Sequence, residues 1–274
     1  MSIRFSKYSD IPKLRQIMKI VFGDNDLYLD RFFLYKYKNN ALVCEIDHEI
    51  VSIAFLLDAL LEEKPITYIY GCATLPQYRG KGIMNEILSF AYQNRSNQNF
   101  SALCLVPASD SLFEYYKSKG FQNYFFIKNE NYFLVDFSNP KKSDLLLKPL
   151  TPIQYLDLKN HIFSVANSIT WDLKHYELIE KEYITEKGGF FEVIENQKRI
   201  GIGFFYTHHF KTFIPELITK IETNKIANLF FNTFETIEIE ISTPGVEDCY
   251  GMIKWIKNKN FDAKNIGYLS FALD

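Results

Sequence analysis

The residues of this chain with the clearest potential for chemistry lie at positions 77–82, in the sequence Gln-Tyr-Arg-Gly-Lys-Gly. Gly80 and Gly82 can adopt left-handed backbone angles and carry no side chain, so successive N–H groups can point into one concavity. A helix-like segment starts at Gly82, and the first N–H groups of a helix lack intrahelical partners and carry partial positive charge. Arg79 and Lys81 add two full positive charges. The pattern predicts a loop that binds the pyrophosphate of an anionic cofactor.

Two other phosphate-binding loops have a different glycine pattern. A P-loop requires G-x-x-x-x-G-K-[ST], whereas here Gly82 follows Lys81 and no glycine stands five residues before Gly80. A dinucleotide fingerprint would need glycine in place of Asn85. The six residues instead match Q/R-x-x-G-x-G/A, and the segment resembles the coenzyme A loop of the Gcn5-related N-acetyltransferase (GNAT) superfamily. The alternative is a surface turn whose basic side chains are merely solvated.

The resemblance implies acetyl-CoA as a co-substrate, with its pyrophosphate against the loop and its thioester beside the preceding strand. A backbone N–H near Ala73 or Thr74 would then donate to the thioester carbonyl, where negative charge develops. No metal is expected either, because His208 and His209, an adjacent pair that resembles a metal site, would point to opposite faces of a strand. The residues that it assigns to the cofactor are Ala73, Thr74, Gln77, Arg79, Gly80, Lys81, Gly82, Ile83 and Met84.

A second segment carries the same resemblance. Residues 100–106 read as a buried strand and 109–119 as a short helix, with Gly120 as its left-handed C-cap. This order resembles the strand, helix and Tyr-x-x-x-Gly-Phe ending of the superfamily, in which Tyr116 has the position of the general acid that protonates the leaving CoA thiolate. A phenol, with a pKa of about 10, stays protonated at neutral pH as this role requires. A packing role for Tyr116 beside Leu112 is the alternative.

The elements that must position these residues can be read along the first 137 residues. The predicted order is strand, helix, helix, three strands, helix, strand, helix and closing strands. Asp10 is expected to cap the first helix, and residues 124–137 are expected to supply the closing strands. A GNAT domain has this order, so the resemblance covers residues 1–137.

A polar, proline-containing linker at 138–144 is expected to end this domain. The pattern then restarts, and residues 145–274 read as a second, diverged copy with a helix at 248–257 and a final strand at 266–273. The segment 210–215, taken as the counterpart of the phosphate loop, contains no glycine, so the same amide cradle cannot form there. The predicted fold class is α/β (α+β): two tandem GNAT-like domains, each with a mixed, mostly antiparallel sheet flanked by helices, the second degenerate.

Tandem halves with only the first loop intact resemble the enhanced-intracellular-survival branch of the superfamily, which acetylates amines. Members of that branch have a third, sterol-carrier-like domain whose C-terminal carboxylate acts as a base. The sequence ends at Asp274, so we expect that domain to be missing here and do not carry this base over. Asp58, Glu62 and Glu63, beside the third strand, or a chain of water molecules are the alternatives for the base.

The implied reaction is direct acetyl transfer to a primary amine through a tetrahedral intermediate, with proximity of the two reactants contributing to the rate. The aromatic helix predicted at 26–38, together with Asp24 and Asp26 before it, is a candidate wall of the acceptor pocket. A small molecule and a peptide both fit this description of the acceptor.

Composition narrows the expected partners. The 274 residues include 31 basic and 33 acidic side chains, for a net charge of −2, which favours neither nucleic acid nor an anionic membrane as a partner. The four cysteines lack the spacing of a zinc site and are expected to be reduced. The sequence has no apolar leader and no apolar run of membrane-spanning length, so the expected location is the cytoplasm.

Two functions from different classes remain open at this stage. One is an acetyl-CoA-dependent N-acetyltransferase, and the other is a catalytically inactive protein that binds acyl-CoA or regulates. The loop supports both equally, and Tyr116 with an open acceptor pocket separates them. The length of the acyl group and the oligomeric state are left open.

Overall fold

The computed structural model describes residues 1–137, 144–256 and 266–273. Within these ranges the chain forms thirteen strands in one mixed sheet and seven α-helices, which confirms the predicted fold class. We call residues 1–137 the first half and the described residues from 144 onward the second half. The predicted linker lies outside the described residues apart from Asp144, and the domain boundaries stay a prediction.

The first half follows the predicted order with two exceptions. The Asp10 carboxylate does not cap the first helix; it accepts a hydrogen bond from Lys7 N at 2.8 Å and caps the short 3₁₀ turn in front of that helix. Residues 124–137 hold one strand rather than several, because its partners come from the second half. In chain order the elements are β1 (Ser2–Phe5), α1 (Ile11–Phe22), α2 (Asp26–Tyr35), β2 (Ala41–Ile46), β3 (Glu49–Leu61), β4 (Lys64–Thr74), α3 (Ile83–Asn97), β5 (Ala102–Leu105), α4 (Asp110–Lys117) and β6 (Gln122–Phe133).

The second half begins like the first and then departs from the predicted order. Its elements are β7 (Leu146–Leu150), α5 (Pro152–His161), β8 (Ile169–Thr170), α6 (Leu173–Tyr183), β9 (Gly189–Glu195), β10 (Lys198–His208), β11 (Lys211–Thr219), α7 (Thr223–Thr233), β12 (Glu238–Pro244) and β13 (Asp248–Trp255).

The helix predicted at 248–257 is wrong, because residues 248–255 form β13. The apolar residues of this segment are spaced as on one face of a helix, which explains the error. The strand forms because it is paired on both sides, with Met252 opposite Leu105 of β5 and Asp248 opposite Ile127 of β6. Tertiary pairing has overridden the local pattern.

The placement of the missing phosphate loop at 210–215 is also wrong, because this segment runs from a turn into β11. Pro215 lies where the pairing with β10 shifts register and just beyond the last β12 pair, Ile214 with Ile241. A proline costs no ladder hydrogen bond at such a position. The counterpart of the phosphate loop is therefore the connection between β11 and α7, residues 220–222.

The two halves exchange strands at the centre of the sheet. The strand order is β1-β2-β3-β4-β5-β13-β6-β12-β11-β10-β9-β7, with β8 paired to β3. Thus β13 of the second half lies between β5 and β6 of the first, and β6 continues the sheet of the second half through β12. Pairing is antiparallel except between β4 and β5 and between β11 and β12.

Alternating side chains of the strands feed separate cores on the two faces of the sheet. In β3, Ile53 and Phe55 pack in a core shared with α1, α2, α5 and α6, whereas Ala54 and Leu56 pack in a core with α3 and α4. The first of these cores spans both halves, since Phe190 and Phe204 of the second half belong to it. A fully buried aromatic or leucine side chain contributes roughly 1.5–3 kcal/mol, so this shared core joins the halves firmly.

Residues 266–273 were expected to form a strand, but they have only isolated bridges at Gly267 and Tyr268. The segment is instead held by the first and second halves together. Trp171 Nε1 donates to Ser270 O at 2.9 Å, and the Tyr68 hydroxyl of β4 donates to Leu273 O at 3.1 Å. The segment therefore ends against β4, at the place where the site is built.

Candidate active site

The predicted phosphate loop connects β4 to α3. A 3₁₀ turn at Pro76–Tyr78 follows β4, and Gly80 and Gly82 then have φ angles of +75° and +76°. Gly82 is the residue before the first helical residue, and Glu86 N to Gly82 O, at 3.3 Å, is a first-turn hydrogen bond of α3. A Cβ atom at either glycine would meet nothing within 4 Å. The loop therefore leaves open space in front of the helix N-terminus, as a pyrophosphate would require.

Two side chains of the loop bind to neighbouring strands, Arg79 to the end of β4 and Tyr78 to the start of β3. Arg79 Nε donates to Thr74 O at 3.1 Å, which ties the loop to the end of β4. The Tyr78 hydroxyl donates to Glu49 Oε2 at 3.3 Å, and Lys81 Nζ lies 5.1 Å from the Tyr78 ring centre. Arg79 and Lys81 are exposed, so both charges remain available to an anion.

The other predicted cofactor residues lie on β4, the 3₁₀ turn and α3. Gln77 is exposed in the 3₁₀ turn, whereas Ile83 is buried and Met84 half-buried in the first turn of α3. Ala73 is buried and faces Ile53 in the β3 register. The structure thus brings the predicted loop residues together around one helix N-terminus.

A cleft opens where β4 and β5 separate. Their parallel pairing ends at Tyr68 with Cys104, after which β4 continues to Thr74 paired only with β3. The gap forms a cavity of about 530 Å³, to which β4 contributes residues 68–72. The cleft lies at the end of β4 that leads into the loop, so one extended ligand can reach both.

A β-bulge in β4 shapes the wall of this cleft. Ile53 pairs with Ala73 but Phe55 pairs with Tyr70, so two residues, Gly71 and Cys72, lie where the ladder shifts. Gly71 has a φ of +62° and approaches the Phe55 ring closely. The bulge turns Gly71 and Cys72 toward the cleft, whereas Ala73 and Thr74 follow it. Neither lining residue was predicted from the sequence, although a glycine inside a strand pattern is itself a signal of a bulge.

Tyr116 lines the same cleft from α4. Gly120, with a φ of +84°, ends this region as predicted, and Lys119 N and Phe121 N both donate to Tyr116 O, at 2.9 and 3.1 Å. Tyr116 is 6% exposed and lines the cleft together with Cys72. Burial, aided by Cys72, raises the pKa of Tyr116 well above that of free tyrosine. The phenol is therefore protonated at neutral pH, as an acid must be.

The exchanged strand and the last described segment complete the cleft. Cys249 and Tyr250 of β13 line it, and so does Leu273. Phe22, at the end of α1, lies at the same cleft and is 46% exposed. Sequence reasoning missed these residues because nothing local indicates that β13 pairs with β5. The second half is thus part of the cleft wall.

Residues 2–123 match the acetyltransferase (GNAT) domain family. The first half of this chain is similar to a GNAT domain over these residues. No curated protein sequence matches the chain. The glycine loop before α3 and Tyr116 fall within the matched residues. The residues of β4 and β5 that line the cleft also fall within them.

Solved structures extend the likeness to both halves. A GCN5-related N-acetyltransferase from Anabaena variabilis is 14% identical, with a TM-score of 0.75 over 93% of this chain and 73% of its own. Eis1 from Mycobacterium abscessus is 9% identical, with a TM-score of 0.71 over 93% and 74%. A tandem GNAT protein from the clavulanic acid biosynthesis pathway is 10% identical, with a TM-score of 0.57 over 94% and 100%. At these identities the likeness establishes the fold, which is a tandem GNAT fold.

A second cavity, of about 300 Å³, adjoins the cleft of the GNAT domain. It lies between the α1–α2 connection and α6, and Leu273 lines both cavities. Asp24 lines it, and the Asp24 Oδ2 atom is buried without a hydrogen-bond partner. Burial raises the pKa of Asp24 to about 6. Glu182 of α6 also lines this side cavity and lies 3.2 Å from Arg31.

The aromatic helix α2 contributes less to this side cavity than the sequence suggested. Tyr28 lines it and shares a 2.6 Å hydrogen bond with the hydroxyl of Tyr70, which lines the GNAT cleft. Phe32, by contrast, is fully buried in the shared core. Asp26 lies at the surface in ion pairs with Arg15 and Lys19. Asp24 and Tyr28 are therefore the parts of the predicted acceptor wall that reach a cavity.

The carboxylates considered as a base do not line either cavity. Asp58 is paired with Arg95 Nη2 at 2.7 Å, and Glu62 and Glu63 are exposed in the turn between β3 and β4. In the described part of the chain, no group of His, Cys, Asp and Glu side chains could hold a metal ion. None of the helices in those ranges is long and apolar enough to cross a membrane.

Proposed function

We propose that this protein is an acyl-CoA-dependent N-acyltransferase that uses acetyl-CoA and transfers the acetyl group directly to a primary amine. The observation that carries the proposal is the meeting of three features in one place: the glycine loop before α3, the cleft between β4 and β5, and the Tyr116 hydroxyl in that cleft. The loop alone would suit any CoA-binding protein. A protonated hydroxyl inside the cleft adds the means to complete a transfer.

The residues at the loop fit the proposed co-substrate. The cradle is open at Gly80 and Gly82, and exposed Arg79 and Lys81 would balance the charge of a pyrophosphate held by the first amides of α3. When bound, acetyl-CoA supplies an activated thioester. The separated β4 and β5 strands leave room for its extended arm to reach the bulge at Gly71.

Tyr116 and the bulge would carry out the chemistry on the protein side. Backbone N–H groups near the bulge, at Ala73 or Thr74, would stabilise the developing oxyanion. Tyr116 would donate its proton to the sulfur as the carbon–sulfur bond breaks, and would later regain a proton from solvent. The acceptor ammonium group loses two protons as it becomes the amide, and the CoA sulfur gains one through Tyr116. The net products are therefore an amide, a free CoA thiol and one proton released to solvent.

The side cavity supports an amine as the acceptor. Asp24 has a buried carboxylate oxygen without a partner, and Glu182 lies on the facing helix, so a cationic group would be attracted there. At pH 7 the Asp24 carboxyl, with a pKa of about 6, is mostly ionised. Since Leu273 lines both cavities, an acceptor held by Asp24 has a short path to the thioester position.

The test combines binding with turnover. Calorimetry should detect acetyl-CoA binding, and release of free thiol should be measured with a panel of diamines, amino sugars, amino acids and lysine peptides. Binding without thiol release for any acceptor would favour the inactive, regulatory alternative, and no binding would reject both. Asp24→Asn should raise the KM of the amine acceptor by roughly tenfold with little change in cofactor affinity, since an ionic contact contributes about 1.4 kcal/mol here. Asp26→Asn, at the surface, is the matched control.

A further inference from the structure

Tyr28 and Tyr70 connect the two cavities of the site. Their hydroxyl oxygens are 2.6 Å apart. Tyr70, on β4 directly before the bulge residue Gly71, lines the cleft between β4 and β5, and Tyr28, on α2, lines the side cavity. Phe32 holds both rings, with its ring centre 6.2 Å from that of Tyr28 and 5.2 Å from that of Tyr70. One hydrogen bond between two packed side chains therefore leads from the cleft to the side cavity.

An acceptor amine in the cleft needs a base that the cleft itself does not supply. An alkylammonium group has a pKa of about 10 and must lose a proton before its nitrogen can attack a thioester. Among the described residues that line the cleft there is no Asp, Glu or His. The thiols are no substitute, because burial raises the pKa of Cys72 to about 11 and also raises that of Cys249. The proton must therefore leave the cleft.

The side cavity contains carboxylates. The titratable side chains that line it are those of Asp24, Tyr28, Glu182 and Tyr183. Glu182 is paired with Arg31 at 3.2 Å, whereas the Asp24 Oδ2 atom is buried without a hydrogen-bond partner. Burial raises the pKa of Asp24 to about 6, which suits a base that works near neutral pH. Asp24 is therefore the proton acceptor on the Tyr28 side of the pair.

We propose that Tyr28 and Tyr70 relay a proton from the acceptor nitrogen in the cleft to the Asp24 carboxylate in the side cavity. The ammonium group gives its proton to the Tyr70 oxygen, Tyr70 gives its own to the Tyr28 oxygen, and Tyr28 gives its own to Asp24 through one water molecule of the side cavity. Each phenol gains one proton and loses one, and Asp24 then releases its proton to solvent. This is the first of the two protons that the nitrogen loses, and the transfer from Tyr116 to sulfur is separate. The inference rests on the proposed function.

Hydrogen-bonding capacity fixes the direction of the relay. An ionised carboxylate accepts hydrogen bonds and donates none, so Asp24 draws the Tyr28 proton toward the side cavity. The Tyr28 oxygen is then left to accept from the Tyr70 hydroxyl, and the Tyr70 oxygen to accept from the ammonium group. Burial raises the pKa of Tyr28 well above that of free tyrosine, and the Tyr70 hydroxyl and the Asp24 carboxylate raise it further. Tyr28 therefore stays neutral and passes the proton on.

Removing either hydroxyl should interrupt the relay. Tyr70→Phe and Tyr28→Phe should each lower kcat/KM for a lysine-like amine roughly 10- to 100-fold at pH 7, while the acetyl-CoA Kd stays within a factor of about two. The double variant should lose no more than either single variant, because one interruption stops the whole relay. A parental kcat/KM in either single variant, or losses that multiply in the double variant, would overturn the proposal.

Tyr37→Phe is the matched control. The Tyr37 hydroxyl is hydrogen-bonded to Ser6 Oγ at 2.9 Å, and the ring belongs to the same core as Tyr70 but lines neither cavity. This variant loses a buried, hydrogen-bonded hydroxyl as the other two do, and its kcat/KM should be that of the parent. An equal loss in Tyr37→Phe would assign the effect to packing and overturn the proposal.

The protonation state of the acceptor separates a relay from packing. An alkoxyamine enters the cleft already neutral at pH 7 and needs no base, so both relay variants should acetylate it within roughly threefold of the parent. With the lysine-like amine, kcat/KM of the variants should rise roughly tenfold per pH unit and approach the parent value at about pH 9.5, because only the neutral amine reacts. A loss that is independent of pH and equal for both acceptors would overturn the relay.

A measurement without turnover tests the last step. Carboxyl ¹³C NMR, with the Asp24 signal identified by its absence in Asp24→Asn, should show the pKa of Asp24 rising in Tyr28→Phe, because the carboxylate loses its route to a hydroxyl donor. An unchanged titration would overturn the proposal. Failure of the proposed function is distinct from these outcomes. A parent that releases no thiol with any amine rejects the function and the relay together, whereas an active parent with parental Tyr70→Phe turnover rejects the relay alone.

Discussion

The two halves of the molecule keep the same strand separation but differ in what surrounds it. In the first half, β4 and β5 part after Tyr68, and in the second half β11 and β12 part after Ile214. Each separation opens a cavity, of about 530 Å³ and about 620 Å³ respectively. An open cleft between parallel strands is therefore common to both halves, and it does not by itself make a cofactor site.

The loop is the first difference. Residues 75–82 connect β4 to α3 through two glycines with positive φ, whereas β11 reaches α7 through residues 220–222, which include no glycine. At the start of α7, Thr223 Oγ1 donates to Glu130 Oε2 at 2.8 Å, and Lys128 Nζ lies 3.1 Å from Glu130 Oε1. A carboxylate of the protein thus already lies beside the helix N-terminus where the first half leaves open space.

The acid is the second difference. In the first half, α4 separates β5 from β6 and carries Tyr116 into the cleft. In the second half, β12 passes to β13 through residues 245–247, and that connection contains no helix. The cavity between β11 and β12 therefore lacks both a phosphate cradle and a helix that could carry an acid. The first half is therefore specialised by its two connections, and we expect one cofactor per chain.

The largest expected effect comes from Gly82→Asp. At a φ of +76° a side chain is strained, and a carboxylate there would repel the pyrophosphate, so acetyl-CoA affinity should fall by at least roughly 100-fold, or about 2.7 kcal/mol. Titration calorimetry should give a stoichiometry near one for the parent and no measurable binding for the variant. The matched change Asn224→Asp, at the start of α7, should leave binding intact. Two binding sites in the parent would show that the second half also binds the cofactor, against this prediction.

The next effect concerns the acid. Tyr116→Phe keeps the ring in its packing and removes the hydroxyl, so kcat should fall roughly 10- to 10⁴-fold while the acetyl-CoA Kd stays within a factor of about two. Single-turnover measurements with the best acceptor would isolate the chemical step. Tyr115→Phe is the neighbouring control and should behave like the parent. Unchanged turnover in Tyr116→Phe would return this residue to packing alone.

A smaller effect is expected from Gly71→Ala in the bulge. The residue has a φ of +62°, and a Cβ atom would lie 3.2 Å from Phe55 Cδ2, so the free energy of unfolding should fall by roughly 1–3 kcal/mol. Urea unfolding would measure this loss, and kcat should fall as well because the bulge shapes the cleft. Gly189→Ala in β9, where the new atom meets nothing within 4 Å, is the control. Equal stability of the two variants would mean that the bulge is not strained.

The smallest effect depends on pH and concerns the segment that joins the halves. His175 is fully buried, its Nε2 donates to Phe271 O at 2.7 Å, and burial lowers its pKa well below the ordinary value. Since the unfolded histidine, with a pKa near 6.5, binds a proton that the folded one does not, stability should be lost as pH falls below about 6.5, by up to about 1.4 kcal/mol per pH unit. The Tm measured between pH 8 and 5 should fall less in His175→Gln than in the parent. His161→Gln, on an exposed histidine, should follow the parent.

Much of the site could be predicted from the sequence because its determinants are local. Gly80 and Gly82 indicate positive φ angles in a short connection. The spacing from Tyr116 to Gly120 indicates where α4 ends. Both lie where predicted. Their assignments to cofactor and acid remain predictions that the experiments above must test.

The parts that escaped prediction depend on contacts between distant residues. β13 has apolar spacing that suits a helix and becomes a strand because β5 and β6 flank it, and its Tyr250 reaches the cleft only for that reason. The segment 210–215 was expected to be a loop, yet its Pro215 falls at a register shift within β11. Asp24 and Asp26 look equivalent in sequence; one lines a cavity and the other pairs with surface cations.

The exchanged strand also has a consequence for how the protein is made. The loop, α3 and β5 emerge from the ribosome long before residues 248–255 are synthesised. The nascent first half therefore has no strand to occupy the gap between β5 and β6. Two unpaired edges are then exposed during most of translation, and such edges invite pairing with other chains. We therefore expect this protein to depend on chaperones or slow dilution for refolding, and to become competent for cofactor binding only after nearly the whole chain has emerged.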